Sequence, residues 1–205
     1  WWPNKGRPSD EPDSVKLHIT VPDTLIAIGN GQLESIEKAD STATYTWLVK
    51  NPINNYNITL NIGDYIEISD TLINSSGVQK LNHYVLSYNK ETALRYFPQA
   101  REVIHFFEKI FGEYPFWDDG YKLVETPYAG MEHQSAIAYG NGYTTSGRYY
   151  IYDLVDYIIL HETAHEWWGN SLTACDGADV WLHESFATFS EVLYVEEKLG
   201  RLVSI

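Results

Sequence analysis

The stretch HETAHEWWGNSLTACDGADVWLHE, His161 to Glu184, decides how the chain is read. At 3.6 residues per turn, positions four apart on a helix lie about 40° apart round its axis, so His161 and His165 project from one face and can grip one ion. Glu162 points about 100° round from His161, near enough to reach a metal-bound water without becoming a ligand. A tetrahedral catalytic zinc needs a third protein ligand and one open position. Glu184 supplies the ligand, with 18 residues between it and His165, on the next predicted helix. The intervening Trp167 to Ala178 is long enough to finish one helix, turn and bring a second back alongside. Random ordering of 16 Glu and 7 His over 205 positions gives the five-residue pattern in roughly 2% of chains, so its surroundings must carry the argument.

Working outward, one predicted helix runs from about Tyr152 to Trp168 with Gly169-Asn170 as its stop. A second runs from about Val180 to Leu199, with Asp179 as N-cap and Gly200 as stop. Upstream, Val103, Ile104, Phe106, Phe107, Ile110 and Phe111 recur at helical steps between Pro98 and Gly112. Tyr121 to Thr126 reads as a short strand closed by Pro127, and Ala129 to Tyr139 as an extended stretch. From Val15 to about Ser87 the period is two. Val15, Leu17, Ile19 and Val21 alternate with polar residues, as do Tyr56, Ile58, Leu60 and Ile62. Pro22-Asp23, Asn30-Gly31, Asn51-Pro52, Gly63-Asp64 and Ser76-Gly77 punctuate these runs as turns. The texture changes near Asn89, so the predicted class is α+β, with a β unit over residues 1–88 and a largely helical unit over residues 89–205.

Composition bounds the function. With 44% hydrophobic and 15% aromatic residues the 205-residue chain carries enough apolar surface for a packed core. Its 28 acidic against 14 basic residues give a net charge of −14, which argues against a nucleic-acid partner, since that affinity comes from clustered Lys and Arg. One cysteine, Cys175, cannot form an intrachain disulfide, so stability comes from a core or a metal. No membrane span is expected, because the apolar run from Ile151 to Leu160 is broken by Asp153 and Asp156. The opening Trp1-Trp2-Pro3, in place of Met, reads as a processed or excised piece. Few basic residues and two sequons, at Asn57 and Asn74, lean towards an extracytoplasmic location.

HETAHEWWGNSLT followed by DVWLHESFATF closely resembles the signature of the aminopeptidase N and leukotriene hydrolase family of gluzincins. YPFWDDGYKLVETPYAGMEHQSAIAYGN is similar to that family's exopeptidase segment, which normally reads Gly-Ala-Met-Glu-Asn; here it is Ala129-Gly130-Met131-Glu132-His133. The opening WWPNKGRPSDEPDSVKLHITVP resembles the end of the family's N-terminal β domain. The resemblance implies the end of an antiparallel β-sandwich or saddle domain, followed by the first half of a thermolysin-like zinc peptidase domain. It implies one Zn2+ per chain on His161, His165 and Glu184, Glu162 as general base, and Glu132 binding the free amino group of a peptide. Backbone amides of Gly130 and Met131 would meet the substrate as an added strand. The family's transition-state tyrosine would lie beyond the chain end, with the remainder of the catalytic domain. The chain alone is therefore expected to be weakly active or inactive.

Other assignments are open. Glu191, seven residues after Glu184, shares its helix face and orients a ligand or sits on the surface. Asp179 hydrogen-bonds a metal-ligating His or caps the helix. His133 and His183 flank the functional glutamates without a partner at ligand spacing. Trp167, Trp168, Trp181, Phe186 and Phe189 read as core packing around the two metal-bearing helices. The rival functions are a zinc endopeptidase or an epoxide-opening hydrolase on the same scaffold, and a peptidase-like scaffold without catalysis.

Overall fold

The alternating residues at the start of the chain form β1 (Val15–Pro22), which pairs antiparallel with β4 (Thr42–Val49), itself paired with β3 (Gln32–Ala39). This is a computed structural model describing residues 2–7, 10–144 and 154–200. In β1 the odd positions face inward and the even ones outward, as a half-buried strand requires. β2 (Ile26–Gly29) is joined to β3 through Asn30-Gly31. Gly31 has φ +78, and a Cβ there would collide with the Leu48 carbonyl, so the turn accepts only glycine.

β2 pairs with β5 (Leu60–Gly63) in a separate two-stranded ribbon. Here the structure departs from the alternating pattern. Tyr56 sits in a 3-10 turn (Asn55–Asn57) whose entry is fixed by the Asn54 side chain accepting Tyr56 N. Beyond it Asn57, Thr59 and Asn61 are buried while Leu60 and Ile62 are exposed. Part of this inward face is bonded: Asn57 Nδ2 donates to Asn170 Oδ1 and the backbone N of Thr59 to Asn30 Oδ1.

The third sheet is mixed and has the order β6-β7-β8-β10-β9, from β6 (Tyr65–Asn74), β7 (Gly77–Leu86), β8 (Leu123–Glu125), β9 (Gly130–Met131) and β10 (Ile137–Tyr139). β7 with β8 and β8 with β10 run parallel. Two strands of this sheet precede residue 88 and three follow it, so a division at 88 passes through the sheet. What begins there is helix: α1 (Lys90–Tyr96) and α2 (Pro98–Phe111), ended by Gly112 with φ +94. α3 (Tyr157–Ala164) and α4 (Trp181–Leu199) complete the chain. The predicted start of α3 at Tyr152 lies outside the described residues.

α3 runs through the main core. Ile158, Ile159, Leu160 and Ala164 pack in one cluster with Val103, Ile104 and Phe107 of α2, Leu81 and Val85 of β7, and Tyr194 of α4. Each fully buried aliphatic or aromatic side chain of this kind contributes about 1.5–3 kcal/mol. A second cluster, around Trp47 and Tyr45 of β4, reaches Val124 and Ala136, and so welds the first sheet to the third. α4 differs from expectation. Its buried face carries His183, Ala187, Ser190, Glu191, Tyr194 and Val195, whereas Trp181 and Phe189 are 60% and 55% exposed and Phe186 is exposed too. Among the described residues, no helix is long and apolar enough to cross a membrane.

Candidate metal centre

α3 is anchored at its first residue by Asp156, whose carboxylate accepts Ile158 N at 3.0 Å as an N-cap. The same carboxylate takes the Tyr139 hydroxyl at 2.6 Å and Asn141 Nδ2 at 2.9 Å, so the helix start is tied to β10 and the loop after it. Every residue from Ile158 to Ala164 is buried, including His161, Glu162 and Thr163. Thr163 is satisfied by the Tyr121 hydroxyl at 2.7 Å and by the Ile159 carbonyl. Apolar neighbours hold the helix; the polar ones need partners.

The two imidazoles find them on both sides. His161 Nε2 and His165 Nε2 lie 3.3 Å apart. Glu184, in the first turn of α4, brings Oε2 to 3.2 Å from His161 Nε2 and Oε1 to 3.7 Å from His165 Nε2, with its side chain 61% exposed. On the far side, His161 Nδ1 meets Glu191 Oε1 at 2.6 Å, and His165 Nδ1 donates to the Trp168 carbonyl at 3.0 Å. With both Nδ1 atoms occupied, both Nε2 lone pairs are left for the space they share with Glu184. Bonds of 2.0–2.1 Å in a tetrahedron put neighbouring ligand atoms about 3.3 Å apart, the spacing of these three groups. Two nitrogens and one carboxylate oxygen are the donor chemistry of a zinc site.

Glu132 also reaches this place. Its carboxylate, that of Glu162 and an imidazole nitrogen of His165 have ligand atoms within 4.8 Å of one another. Gly130, on the edge strand β9, lies directly on Glu162: a Cβ there would collide with Glu162 Oε1 and stand 2.8 Å from Ile158 Cγ2. A side chain at 130 would therefore have to displace the Glu162 carboxylate and press on Ile158. Met131 follows Gly130, half-buried, and pairs with Ala138.

Burial, followed by the charges of Glu132, Glu184 and Glu191, pushes the Glu162 carboxyl up to about 8, with His161 opposing. Burial alone would lower His161, but its hydrogen bond to Glu191 and the surrounding carboxylates hold it above its ordinary value. His165 is lowered by burial, against the pull of Glu132.

Of the remaining sequence candidates, Glu191 is buried and lies against His161 Nδ1. Asp179 is exposed in the 3-10 turn Gly177–Asp179. The start of α4 has no side-chain cap, and among the described residues Asp179 bonds neither imidazole. Its carboxylate would have to lie one residue nearer the helix to cap it. His183 Nε2 accepts Ala174 N at 2.8 Å and holds the loop between the helices. Sequence reading missed Asn170, taken only as part of a helix stop. It is 3% exposed, and both ends of its side chain are bonded. A polar residue after a glycine gives no sign that it will be buried.

Residues 96–203, just over half of the chain, match the family model described as the Peptidase family M1 domain. The chain is 31% identical over 190 residues to "Probable aminopeptidase 1" of Saccharolobus solfataricus, an alignment covering 85% of this chain and 22% of that protein. Among solved structures it is similar to a mutant M1 zinc metallopeptidase from Deinococcus radiodurans, with TM-score 0.79 and 23% identity over 93% of this chain and 42% of the other. The same mutant enzyme bound to a Tyr-Ser-Ala substrate gives TM-score 0.74 at 22% identity, covering 94% of this chain and 42% of that one. The chain thus spans about a fifth of the curated relative and shares the fold of the solved enzymes.

Proposed function

The chain belongs to peptidase family M1, and on that premise we propose that it is the zinc-binding part of an aminopeptidase. The reaction is hydrolysis of the N-terminal peptide bond of a peptide, with one zinc ion per chain. The observation that carries this reading is the triangle of His161 Nε2, His165 Nε2 and the Glu184 carboxylate, with edges of 3.3, 3.2 and 3.7 Å and both Nδ1 atoms anchored behind it.

A zinc ion held there supplies Lewis acidity toward a carbonyl oxygen and toward water. The other steps belong to side chains. Glu162, beside the ligands but not among them, takes the proton of the attacking water and passes it to the leaving amine. Burial raises the Glu162 carboxyl, and a cation held by His161, His165 and Glu184 would favour its ionised form. Glu132 pairs with the substrate's terminal ammonium, and this limits cleavage to one residue from the end. β9 is the outer strand of its sheet among the described residues, which supports Gly130 and Met131 as the edge along which an extended peptide would lie. The name of the aminopeptidase relative and the solved complex with Tyr-Ser-Ala support a peptide substrate.

Two further points belong to the proposal. The exposed Trp181, Phe186 and Phe189, and the small share of the relative that is spanned, support the reading that more of the catalytic unit packs against α4. The 205-residue chain alone is then weakly active or inactive. The sheet that β6 and β7 share with β9 supports counting them, from about Asp64, with the catalytic unit that the sequence pattern begins at residue 89. Peptides with free and with acetylated N-termini, given to the full-length protein, test the function. Only the free peptides are expected to be shortened, one residue at a time, and Glu162→Gln should lower turnover by roughly 10²–10⁴-fold. Equal cleavage of both peptides would replace this reading with an endopeptidase.

A further inference from the structure

The segment that carries Glu132 is held more tightly than a loop beside a strand needs to be. Ser135 has φ +58, a strained value for a non-glycine residue. It is held there from three directions: its N donates to Glu166 Oε1 at 2.8 Å, its carbonyl accepts Lys122 Nζ at 2.8 Å, and its hydroxyl accepts Gly31 N at 2.9 Å. The Gln134 carbonyl accepts Asn30 Nδ2 at 2.7 Å. The Met131 and His133 carbonyls are closed by local turns, to His133 N and Ala136 N. That leaves the carbonyl of Glu132 itself, which accepts Asn170 Nδ2 at 2.9 Å.

Asn170 is bonded in two more ways. Its backbone N donates to the carbonyl of His165 at 3.0 Å, and its Oδ1 accepts Asn57 Nδ2 at 2.6 Å. Asn57 is in turn fixed through its carbonyl by Asn30 Nδ2 at 2.9 Å. One buried residue therefore ties the backbone of His165 to the backbone of Glu132, and a residue of the preceding β unit holds it in place. Only a short neutral side chain with a donor and an acceptor at its tip can do both: Asp has no donor for the Glu132 carbonyl, and Ala reaches neither partner.

We propose that Asn170 is a positioning residue that sets the distance between Glu132 and the His161, His165 and Glu184 site, with Asn57 as its support. The proposal rests on the reading of Glu132 as the partner of the substrate ammonium. In an exopeptidase that distance defines which peptide bond reaches the metal. A carboxylate displaced by about an ångström still carries its charge but no longer meets an ammonium one residue from the cleaved bond.

The test uses the zinc-loaded protein and two probes, leucine hydroxamate and its N-acetyl derivative, titrated calorimetrically. Both present the same hydroxamate to zinc, but only the first offers an ammonium. Asn170→Ala is expected to weaken leucine hydroxamate by about tenfold, with affinity for the acetylated probe and zinc content unchanged within about twofold. Asn57→Ala, which touches neither Glu132 nor His165, should shift the ratio in the same direction by about threefold. A ratio unchanged in Asn170→Ala, or equal loss of affinity for both probes, overturns the proposal. If Asn170→Ala does not fold or does not hold zinc, Asn57→Ala decides, and an unchanged ratio there overturns it. Glu132→Gln separates the two claims. A free-amine preference that survives Glu132→Gln overturns the reading of Glu132 and this proposal together. A preference lost in Glu132→Gln but kept in both Asn variants overturns the positioning role alone.

Discussion

Strand β1 and helix α3 bury their residues by opposite rules. In β1, burial follows the sequence: Leu17, Ile19 and Val21 turn in while Lys16, His18 and Thr20 turn out, and the run adds its apolar face to the Trp47 cluster. In α3, burial ignores polarity. His161, Glu162 and Thr163 are buried along with Ile159 and Leu160. An unpartnered buried polar group costs about 1–3 kcal/mol, so such a helix persists only where other elements supply partners. Glu191 and Glu184 do so for His161, the Trp168 carbonyl for His165 and the Tyr121 hydroxyl for Thr163. The strand is a product of its own pattern; the helix is a product of its surroundings, and chemistry sits where pattern and burial disagree.

The contrast can be broken by variants that act on one region and not the other. Trp47→Ala empties the centre of the sheet cluster and should cost about 3–5 kcal/mol in a denaturant melt, leaving the zinc affinity of the folded fraction unchanged. A parallel loss of zinc affinity would mean that the two regions are not separable. Glu191→Gln should do the reverse. It removes the charge behind His161 and is expected to weaken zinc binding by about 10–100-fold in a chelator competition, with little change in the apo melt. Unchanged zinc affinity would reduce Glu191 to packing.

A buried polar residue outside the site sharpens the same comparison. His83 of β7 accepts Leu123 N at 3.1 Å, and burial pushes its imidazole down to about 3. The sign follows from proton binding. Between pH 6.5 and 3 the unfolded chain takes up a proton that the folded one does not, so stability is complete above 6.5 and falls as pH drops through that window. Urea melts at pH 6.5 and 4.5 should show the native protein losing about 2 kcal/mol more than His83→Gln. Equal losses would show that His83 is protonated inside the fold.

Much of the framework was legible because it rests on local pattern. β1, α2 with Pro98 and Gly112 at its ends, and α4 up to Gly200 fall within a residue or two of their predicted bounds. The i, i+4 histidines were legible because helical geometry alone puts both rings on one face. Long-range pairing was not. The change of texture at Asn89 marks where helix begins, but the parallel contact of Tyr84 with Val124 carries the sheet across it, and neither residue signals the other. Burial of polar residues was equally silent. Leu60 and Ile62 alternate like a buried face and yet point outward, while Asn57, Thr59 and Asn61 are buried, Asn57 bonded to Asn170 and the Thr59 backbone to Asn30. Trp181, Phe186 and Phe189 look like core by composition, and nothing among the described residues covers them fully. Asn170 and Asn57, read as a helix stop and a strand position, turn out to join three segments far apart in sequence.

The central claim is that His161, His165 and Glu184 are arranged for one zinc ion. Anomalous scattering at the zinc edge from crystals of the zinc-loaded protein tests it most directly. A single strong peak is expected about 2.0–2.1 Å from His161 Nε2, His165 Nε2 and a Glu184 oxygen, absent in His165→Ala. A peak elsewhere, or one that survives His165→Ala at the same place, would contradict it.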